Sequence, residues 1–263
     1  MSRNIRLLVA YDGTGFSGWQ RQDKKAPAGE APGGFAEQNR TVQGTLEQAL
    51  ARIHKHPVNL TGAGRTDAGV HAAGQVANFY TDIAGMGAER FVPALNSLLP
   101  PDLRVLEGRE TIPDFHARFD ASARTYRYHF ICGRPALPHE SRYGLQLWRR
   151  PRIALLNAYA RQLLGERDCS VFAASGGAAA SRSRNISGAS FFIRGDTLIF
   201  EIRANAFLWK MVRSVAGTLL FYEERGIRGE AFRDMLQSGD RKLAGPTLPP
   251  RGLFLWKVDY SRG

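Results

Sequence analysis

The 263-residue chain is poor in cysteine and lacks long apolar runs. Its two cysteines, Cys132 and Cys169, form no CxxC pair and are too few for a disulfide framework, so we interpret both as buried structural thiols in a reducing compartment. No window approaches about eighteen uninterrupted apolar residues, which predicts the absence of a membrane-spanning helix. The start of the chain, MSRNIRLLVAYDG, lacks the apolar core of a signal peptide. We therefore expect a cytoplasmic protein.

Acidic residues are scarce relative to basic ones. The chain has 24 Asp and Glu against 36 Lys and Arg, a formal net charge of +12. Such a surplus favours a polyanionic partner, because basic side chains that neutralise phosphates release counterions. Arg accounts for 30 of the 36 basic residues and provides a planar fork that suits phosphate. A GC-rich genome also enriches Arg, so the sign of the charge is the stronger indication.

The charge is concentrated between residues 115 and 150. This stretch holds seven Arg against Asp120 and Glu140, and aromatic residues are interleaved with the Arg. Such a mixture suits unstacked bases and a phosphate backbone. A solvated strand face next to a core face gives a similar pattern, so this stretch alone leaves RNA binding and a plain strand as alternatives.

Periodicity predicts an α+β fold. The two expected lobes are 1–110 and 111–263, and they share a mixed, largely antiparallel sheet with helices packed on it. Strands are predicted at 5–11, 57–61, 75–80, 103–107, 124–132, 187–194, 197–204 and 253–260. Helices are predicted at 42–53 with Thr41 as N-cap, around 91–98, at 153–164 with Gly165 at C′, at 207–223 and at 230–237, and loops at 23–40 and 173–184.

Gly13, Gly15 and Gly18 follow the first predicted strand with the G-x-G-x-x-G spacing of a dinucleotide site. That motif needs a helix that begins at the glycines, so that its N-terminus meets the pyrophosphate. The chain continues as GWQRQDKKAPAGE, which has no apolar stripe. A P-loop is also excluded, since no G-K-[ST] occurs. We therefore predict no nucleotide cofactor from these glycines.

The segment GAGRTDAGVHA, residues 62–72, places Arg65 and Asp67 on a glycine-rich connection between two predicted strands. Glycines allow a ligand to approach the main chain closely. A carboxylate beside a guanidinium stays ionised and can act as a nucleophile or a base. An Asp that only hydrogen-bonds its own turn is the alternative, and the residues taken alone favour it.

This segment resembles the catalytic loop of the tRNA pseudouridine synthase A family. Four further strings resemble that family in the same order along nearly the whole chain: YDGTGFSGWQRQ (11–22), FHARFDASARTYRY (115–128), NAFLWKMVRSVAG (205–217) and GLFLWKVDY (252–260). Five ordered matches favour the family over chance. The 23–40 loop departs from the pattern because it is longer than the family usually carries.

The resemblance implies a pseudouridine-synthase-like fold with a basic central cleft, a catalytic loop in the lobe 1–110, a stacking tyrosine and a long helix in the lobe 111–263, and roles for individual residues. Asp67 matches the catalytic aspartate, and Arg65 matches an arginine that helps the target nucleotide out of its stack. Tyr126 matches the tyrosine that stacks on the target uracil, and Arg213 matches the basic residue that pairs with the catalytic carboxylate. Two more basic residues in matching segments are expected to contact the tRNA backbone, Arg118 and Arg184.

The histidines are assigned no catalytic role. His71 and His116 lie in matched segments, and we expect both to satisfy local hydrogen bonds. His54 and His56 have no acidic or thiol partners spaced for a metal, so we interpret both as surface residues and predict no metal site.

The family implies conversion of uridine to pseudouridine at positions 38, 39 and 40 of the tRNA anticodon stem-loop, without a cofactor, by homodimers in bacteria. The carboxylate can attack C1′, attack C6 or remove the C2′ proton, and the sequence does not distinguish these routes. The alternatives are a non-catalytic RNA-binding module, a glycosidase-like hydrolase, which would need two carboxylates, and a pseudouridine synthase for other RNA positions.

Overall fold

A computed structural model describes residues 2–21, 40–174, 176 and 181–261. The chain divides into two compact units, Met1–Asp120 with Ser261–Gly263, and Ala121–Tyr260. The predicted loop insertion at 23–40 lies outside the described residues except for Arg40, and so do residues 175 and 177–180 of the predicted loop at 173–184.

The first unit is a small antiparallel sheet with two helices. Strand β1 lies between β3 and β4 and is antiparallel to both, and β2 pairs antiparallel with β3. The elements are β1 (Arg3–Tyr11), α1 (Val42–His54), β2 (Leu60–Gly62), β3 (His71–Thr81), α2 (Phe91–Asn96) and β4 (Leu103–Thr111).

Alternation along β1 defines the core of this unit. Ile5, Leu7 and Val9 are fully buried, as expected for every second residue of a strand whose one face is covered. Helix α1 contributes Leu46 and Leu50, one turn apart on its apolar stripe. Its N-terminus is capped as predicted, because the Thr41 side chain accepts a hydrogen bond from the Gly44 amide.

The second unit has an antiparallel sheet in the order β10–β5–β9–β8–β7, with β6 added parallel to β5. The elements are β5 (Ala121–Cys132), β6 (Leu145–Leu147), α3 (Ile153–Arg161), β7 (Gly165–Asp168), β8 (Ser183–Arg194), β9 (Thr197–Ala204), α4 (Met211–Glu224), α5 (Gly229–Ser238) and β10 (Leu253–Tyr260). With ten strands and five α-helices in the described residues, the predicted α+β class is confirmed.

A buried carboxylate ties α4 to the segment before α3. Glu223 has no exposed side-chain surface and accepts hydrogen bonds from the Arg149 guanidinium and from the backbone amide and Nε of Arg152. Burial alone raises the pKa of Glu223, but these hydrogen bonds outweigh it, so that the pKa lies below its ordinary value. These hydrogen bonds compensate for the loss of solvation of the buried carboxylate.

The structure moves two predicted helix boundaries. Helix α4 begins at Met211 rather than 207, because Lys210 adopts a left-handed backbone with φ 58° that cannot continue a helix. Helix α3 ends at Arg161 rather than 164. Gly165 has φ 93°, but it starts strand β7 instead of occupying the C′ position.

Two further expectations were wrong in part. The predicted loop at 173–184 overlaps strand β8, which begins at Ser183. His54 is buried rather than exposed: Nε2 lies 2.8 Å from the Thr81 hydroxyl, Nδ1 lies 2.9 Å from the Leu50 carbonyl, and the ring stacks on Phe91. His56 is exposed, as predicted, and its Nε2 lies 3.0 Å from an Asp82 carboxylate oxygen.

Cys132 and Cys169 are buried free thiols, which confirms the structural interpretation. Burial raises the pKa of Cys169 to about 11, so this thiol stays protonated at neutral pH. Every helix in the described part of the chain is too short or too polar to cross a bilayer.

Candidate active site

Asp67 lies on the connection between β2 and β3 of the first unit. Asp67 is half-buried. Nearby in the loop, Arg65 and Ala68 are exposed, whereas Thr66 and Val70 are buried. The Val70 amide donates to the Asp67 carbonyl at 3.1 Å and closes a turn in which Gly69 has φ 77°. The turn fixes the backbone of the loop, and Asp67 itself stays partly exposed.

The loop is held by the segment that follows β1. The Trp19 amide donates to the Thr66 carbonyl at 3.1 Å, and the Gly69 amide donates to the Phe16 carbonyl at 3.3 Å. Because backbone atoms make these bonds on both sides of Asp67, the path of the loop does not depend on its exposed side chains.

Buried side chains add two more fixed points. The hydroxyl groups of Tyr11 and Thr66 lie 2.9 Å apart, and both residues are buried. At the start of the loop, the buried Gln75 amide donates from Nε2 to the Gly64 carbonyl at 2.8 Å. Asp67 thus follows Thr66, whose hydroxyl group and carbonyl group both take part in hydrogen bonds.

Close approach of the two segments explains two glycines of the G-x-G-x-x-G string. A β-carbon at Gly13 would come within 2.1 Å of the Val70 carbonyl oxygen. One at Gly18, where φ is 98°, would come within 2.7 Å of the Thr66 carbonyl oxygen. The glycines therefore leave room for the Asp67 loop. At Gly13–Gly15 the string forms a three-residue 3₁₀ turn, whereas a dinucleotide site needs a helix that begins at the glycines.

His71 and His116 satisfy local hydrogen bonds, as predicted. Nδ1 of the fully buried His71 accepts from the Gly13 amide at 3.0 Å. Nδ1 of His116 accepts from the amides of Arg118 and Phe119 at 3.2 and 3.3 Å. In the described residues, no group of three or more His, Cys, Asp or Glu side chains is arranged to hold a metal ion.

The exposed Arg65 points its Nε at the side-chain oxygen of Gln20, 3.1 Å away. Gln20 in turn donates from Nε2 to Gln43 Oε1 at 2.8 Å. This chain of contacts orients Arg65 from the WQRQ segment and from helix α1. The role of Gln20 was missed in the sequence, and only its place in the matched string YDGTGFSGWQRQ signalled it.

Tyr126 lies on β5 of the second unit, paired with Ile202 on one side and Leu255 on the other. It is 9% exposed, and its ring contacts Phe207 edge to face, with centroids 5.1 Å apart. The neighbouring strands and Phe207 thus fix the plane of the ring. Phe207 was not predicted as part of the site.

Arg213 lies on the first turn of α4 and hydrogen-bonds the segment that precedes β10. Its Nε donates to the Leu248 carbonyl at 2.7 Å, and the Leu248 amide donates to the Arg213 carbonyl. Arg213 also interacts electrostatically with Tyr128. Burial raises the pKa of the Tyr128 phenol, and the positive charge of Arg213 partly opposes this rise. Arg213 is therefore a positioned cation near the buried tyrosine face of β5.

The two arginines predicted to bind the tRNA backbone differ in their surroundings. Arg118 is exposed on a turn at the end of the first unit. The Arg184 guanidinium, on β8 of the second unit, donates to the carbonyls of Ser181 and Ser183 at 2.9 and 2.5 Å. Arg118 is thus the better placed of the two to meet a phosphate.

Comparison with known proteins agrees with the motifs. The family model for tRNA pseudouridine synthase matches residues 7–120 and 159–261. A tRNA pseudouridine synthase A from Treponema denticola is 53% identical over 258 residues, which cover 98% of this chain and 93% of that protein. The corresponding protein from Treponema pallidum is 46% identical and covers 99% and 88%, and one from an Exiguobacterium species is 36% identical and covers 99% of both.

The matched ranges include five of the six predicted site residues, and Tyr126 falls between the ranges; the five are Arg65, Asp67, Arg118, Arg184 and Arg213. The family predicted from the five ordered strings is confirmed. Because its model covers most of the sequence and relatives match along nearly the full length, this chain belongs to the tRNA pseudouridine synthase family.

Proposed function

We propose that this protein converts uridine to pseudouridine in tRNA and that Asp67 is its essential carboxylate. The observation that carries the proposal is the half-buried Asp67 on a loop fixed by backbone hydrogen bonds from the amides of Trp19 and Gly69. Membership of the family supplies the reaction. The finer assignment, to positions 38, 39 and 40 of the anticodon stem-loop, rests on the resemblance.

The reaction breaks the N1–C1′ glycosidic bond, turns the uracil over and joins C5 to C1′. It is an isomerisation without redox change or net hydrolysis, so its essential requirements are an oriented carboxylate, a surface on which the free base turns and exclusion of water. A carboxylate held by a rigid loop meets the first requirement. Attack at C1′, attack at C6 and removal of the C2′ proton all remain open to Asp67.

We assign the other requirements to Tyr126, Arg65 and Arg213. Tyr126, whose ring plane is fixed by Phe207, stacks on the target uracil. Arg65 assists extrusion of the nucleotide, which costs a few kcal/mol of lost stacking and pairing. Arg213 supplies the positive charge that pairs with the carboxylate in the reacting complex.

The tRNA is held mainly by charge. A net charge of +12 on 263 residues provides sequence-independent attraction to phosphates, and Arg118 and Arg184 are proposed backbone contacts. A tRNA substrate also implies action in the cytoplasm. By the same resemblance, we propose that the enzyme acts as a homodimer.

The test is Asp67→Asn, assayed by release of tritium from tRNA that carries [5-³H]uridine. We expect this variant to release no label while it binds tRNA with nearly unchanged affinity, because the amide keeps the size of the side chain and loses its nucleophilic and basic character. Asp114→Asn, which alters an exposed acid of the same unit, is the matched control and should release label at the wild-type rate. Normal turnover by Asp67→Asn would contradict the assignment.

The same assay separates the alternatives. Binding without release by the wild-type protein would indicate a non-catalytic RNA-binding module, and free uracil among the products would indicate a hydrolase. Mapping pseudouridine in tRNA made with and without the protein tests positions 38–40 against other sites.

Tyr126→Phe should retain most of the activity because the stacking ring remains, whereas Tyr126→Ala should lose it.

A further inference from the structure

Phe119 is 75% exposed on the turn that ends the first unit, although phenylalanine rings usually lie in the core. The turn follows β4 and runs from Phe115 to Asp120. Phe115 and Ala117 point inward and are buried, whereas Arg118 and Phe119 point outward. The turn is thus packed through Phe115 and Ala117, and the exposed Phe119 ring and Arg118 side chain are not needed for that packing.

Two buried asparagines fix the base of the turn. Asn4 on β1 and Asn78 on β3 hydrogen-bond each other at 3.0 Å, and both donate to the Phe115 carbonyl. The Ala117 amide donates to Asn78 Oδ1 at 2.9 Å. Because both asparagines are nearly inaccessible to solvent, the turn is attached to the central strands of the unit rather than to its surface.

His116 fixes the outer part of the turn. Its Nδ1 accepts from the amides of Arg118 and Phe119, and its own amide donates to Asp120 Oδ2 at 2.8 Å. Its ring stacks on the Phe119 ring with centroids 4.2 Å apart and an interplanar angle of 29°. Phe119 is therefore held in a defined orientation although it is exposed.

Such an arrangement suits one kind of ligand. A flat aromatic face attracts nucleobases without regard to their identity, and a neighbouring guanidinium can engage the adjoining phosphate. The Arg118 guanidinium carbon lies 5.7 Å from the centre of the Phe119 ring, which is within the reach of one nucleotide. Preorganisation by His116 lowers the entropic cost of ordering the ring when a base stacks on it.

We propose that Phe119 is a second stacking platform, which holds an unpaired base of the bound tRNA other than the target uridine, with Arg118 on its phosphate. This inference rests on the proposed tRNA substrate. It assigns Phe119 to positioning of the RNA rather than to the chemistry at Asp67. An unstacked neighbouring base arises when the target nucleotide leaves its stem, and the platform would stabilise that opened state.

The test compares Phe119→Ala, Phe119→Leu and Phe119→Trp for the affinity of unmodified tRNA and for single-turnover tritium release. Loss of one base–aromatic stack is expected to weaken binding by about 5- to 150-fold in Phe119→Ala. Phe119→Leu should be similarly weak, because it keeps apolar bulk but no π face, and Phe119→Trp should restore binding. Tryptophan emission of Phe119→Trp, relative to wild type, should be quenched when tRNA is added.

Leu106→Ala is the matched control, since Leu106 is an exposed apolar residue on β4 of the same unit, and it should bind tRNA like wild type. Wild-type affinity of Phe119→Ala, in a preparation whose wild-type protein releases tritium, would overturn the platform and leave the proposed function intact. If Phe119→Leu binds tRNA like wild type and Phe119→Ala has a changed sedimentation coefficient, the platform is also overturned. That result would indicate that Phe119 contacts a second copy of the chain. Absence of tritium release by the wild-type protein would instead refute the proposed function.

Discussion

The indole ring of Trp19 lies so close to Gly62 that a β-carbon there would come within 2.4 Å of Cε2 and Cζ2. Trp19 is almost fully buried, and its amide also holds the carbonyl of Thr66. One residue thus fixes the strand that enters the Asp67 loop through its ring and the loop itself through its backbone.

Gly62→Ala should therefore damage the loop. We expect it to lower the free energy of unfolding by about 1–3 kcal/mol, since a buried indole cannot move aside without strain, and to reduce kcat. Urea unfolding and tritium release measure both effects. Gly64→Ala is the control two residues later, because a β-carbon there would meet open space among the described residues, and it should change neither quantity appreciably.

The hydroxyl pair of Tyr11 and Thr66 should show measurable coupling. The two oxygen atoms are 2.9 Å apart in a buried setting, so Tyr11→Phe and Thr66→Val are each expected to destabilise the protein. The double variant should cost less than the sum of the two, with a coupling of about 0.5–1.5 kcal/mol in a double-mutant cycle from urea unfolding. Strict additivity would show that the pair does not stabilise the loop.

Arg118→Gln should change the salt dependence of tRNA binding. If Arg118 neutralises one phosphate, the slope of log Kd against log salt concentration should fall by about 0.7–0.9. Filter binding at several salt concentrations gives the slope. Arg109→Gln is a suitable control because Arg109, on β4 of the same unit, already pairs with Glu107, and the slope should stay unchanged.

Glu223 should contribute a pH-dependent part of the stability. Its pKa lies below the ordinary value of 4.5, so its contribution is complete above about pH 4.5 and is lost as the pH falls through the lower, folded-state pKa. Glu223→Gln should lower the free energy of unfolding by about 1–3 kcal/mol at pH 7, since the hydrogen bonds to Arg149 and Arg152 lose their charge.

The difference between wild type and Glu223→Gln should shrink when urea unfolding is repeated from pH 5 down to pH 3. A difference that stays constant over this range would indicate that the ionised carboxylate is not the stabilising species.

Periodicity predicted the strands and helices whose faces differ clearly in polarity. Strand β10 has the predicted bounds, and its buried residues Leu253, Leu255 and Val258 are separated by less buried ones. Helix α4 was started too early because NAFLWK is apolar enough to continue its stripe, whereas Lys210 takes a left-handed conformation that composition does not reveal. Gly165 was misplaced because a positive φ serves a strand entry as well as a helix end.

The candidate site was predictable as a set of motif positions but not as an arrangement. The string GRTDAGVHA located Asp67, yet nothing in that string indicates that Trp19 and Tyr11 hold the loop, since these contacts join residues about 50 positions apart. His54 was misjudged because its buried partners, Thr81 and Phe91, come from other elements. Roles for single side chains remain predictions that the variants above test.

Backbone hydrogen bonds between the segment after β1 and the Asp67 loop fix the position of this loop within the first unit. Displacing this loop within its unit would break the contacts of Thr66 and Gly69 and expose the buried Tyr11 and Trp19. If Asp67 is the essential carboxylate, as proposed, it stays fixed within its unit, and the target nucleotide has to move to reach it. Substrates whose stems open readily should then react faster than rigid ones of the same sequence at the modified position.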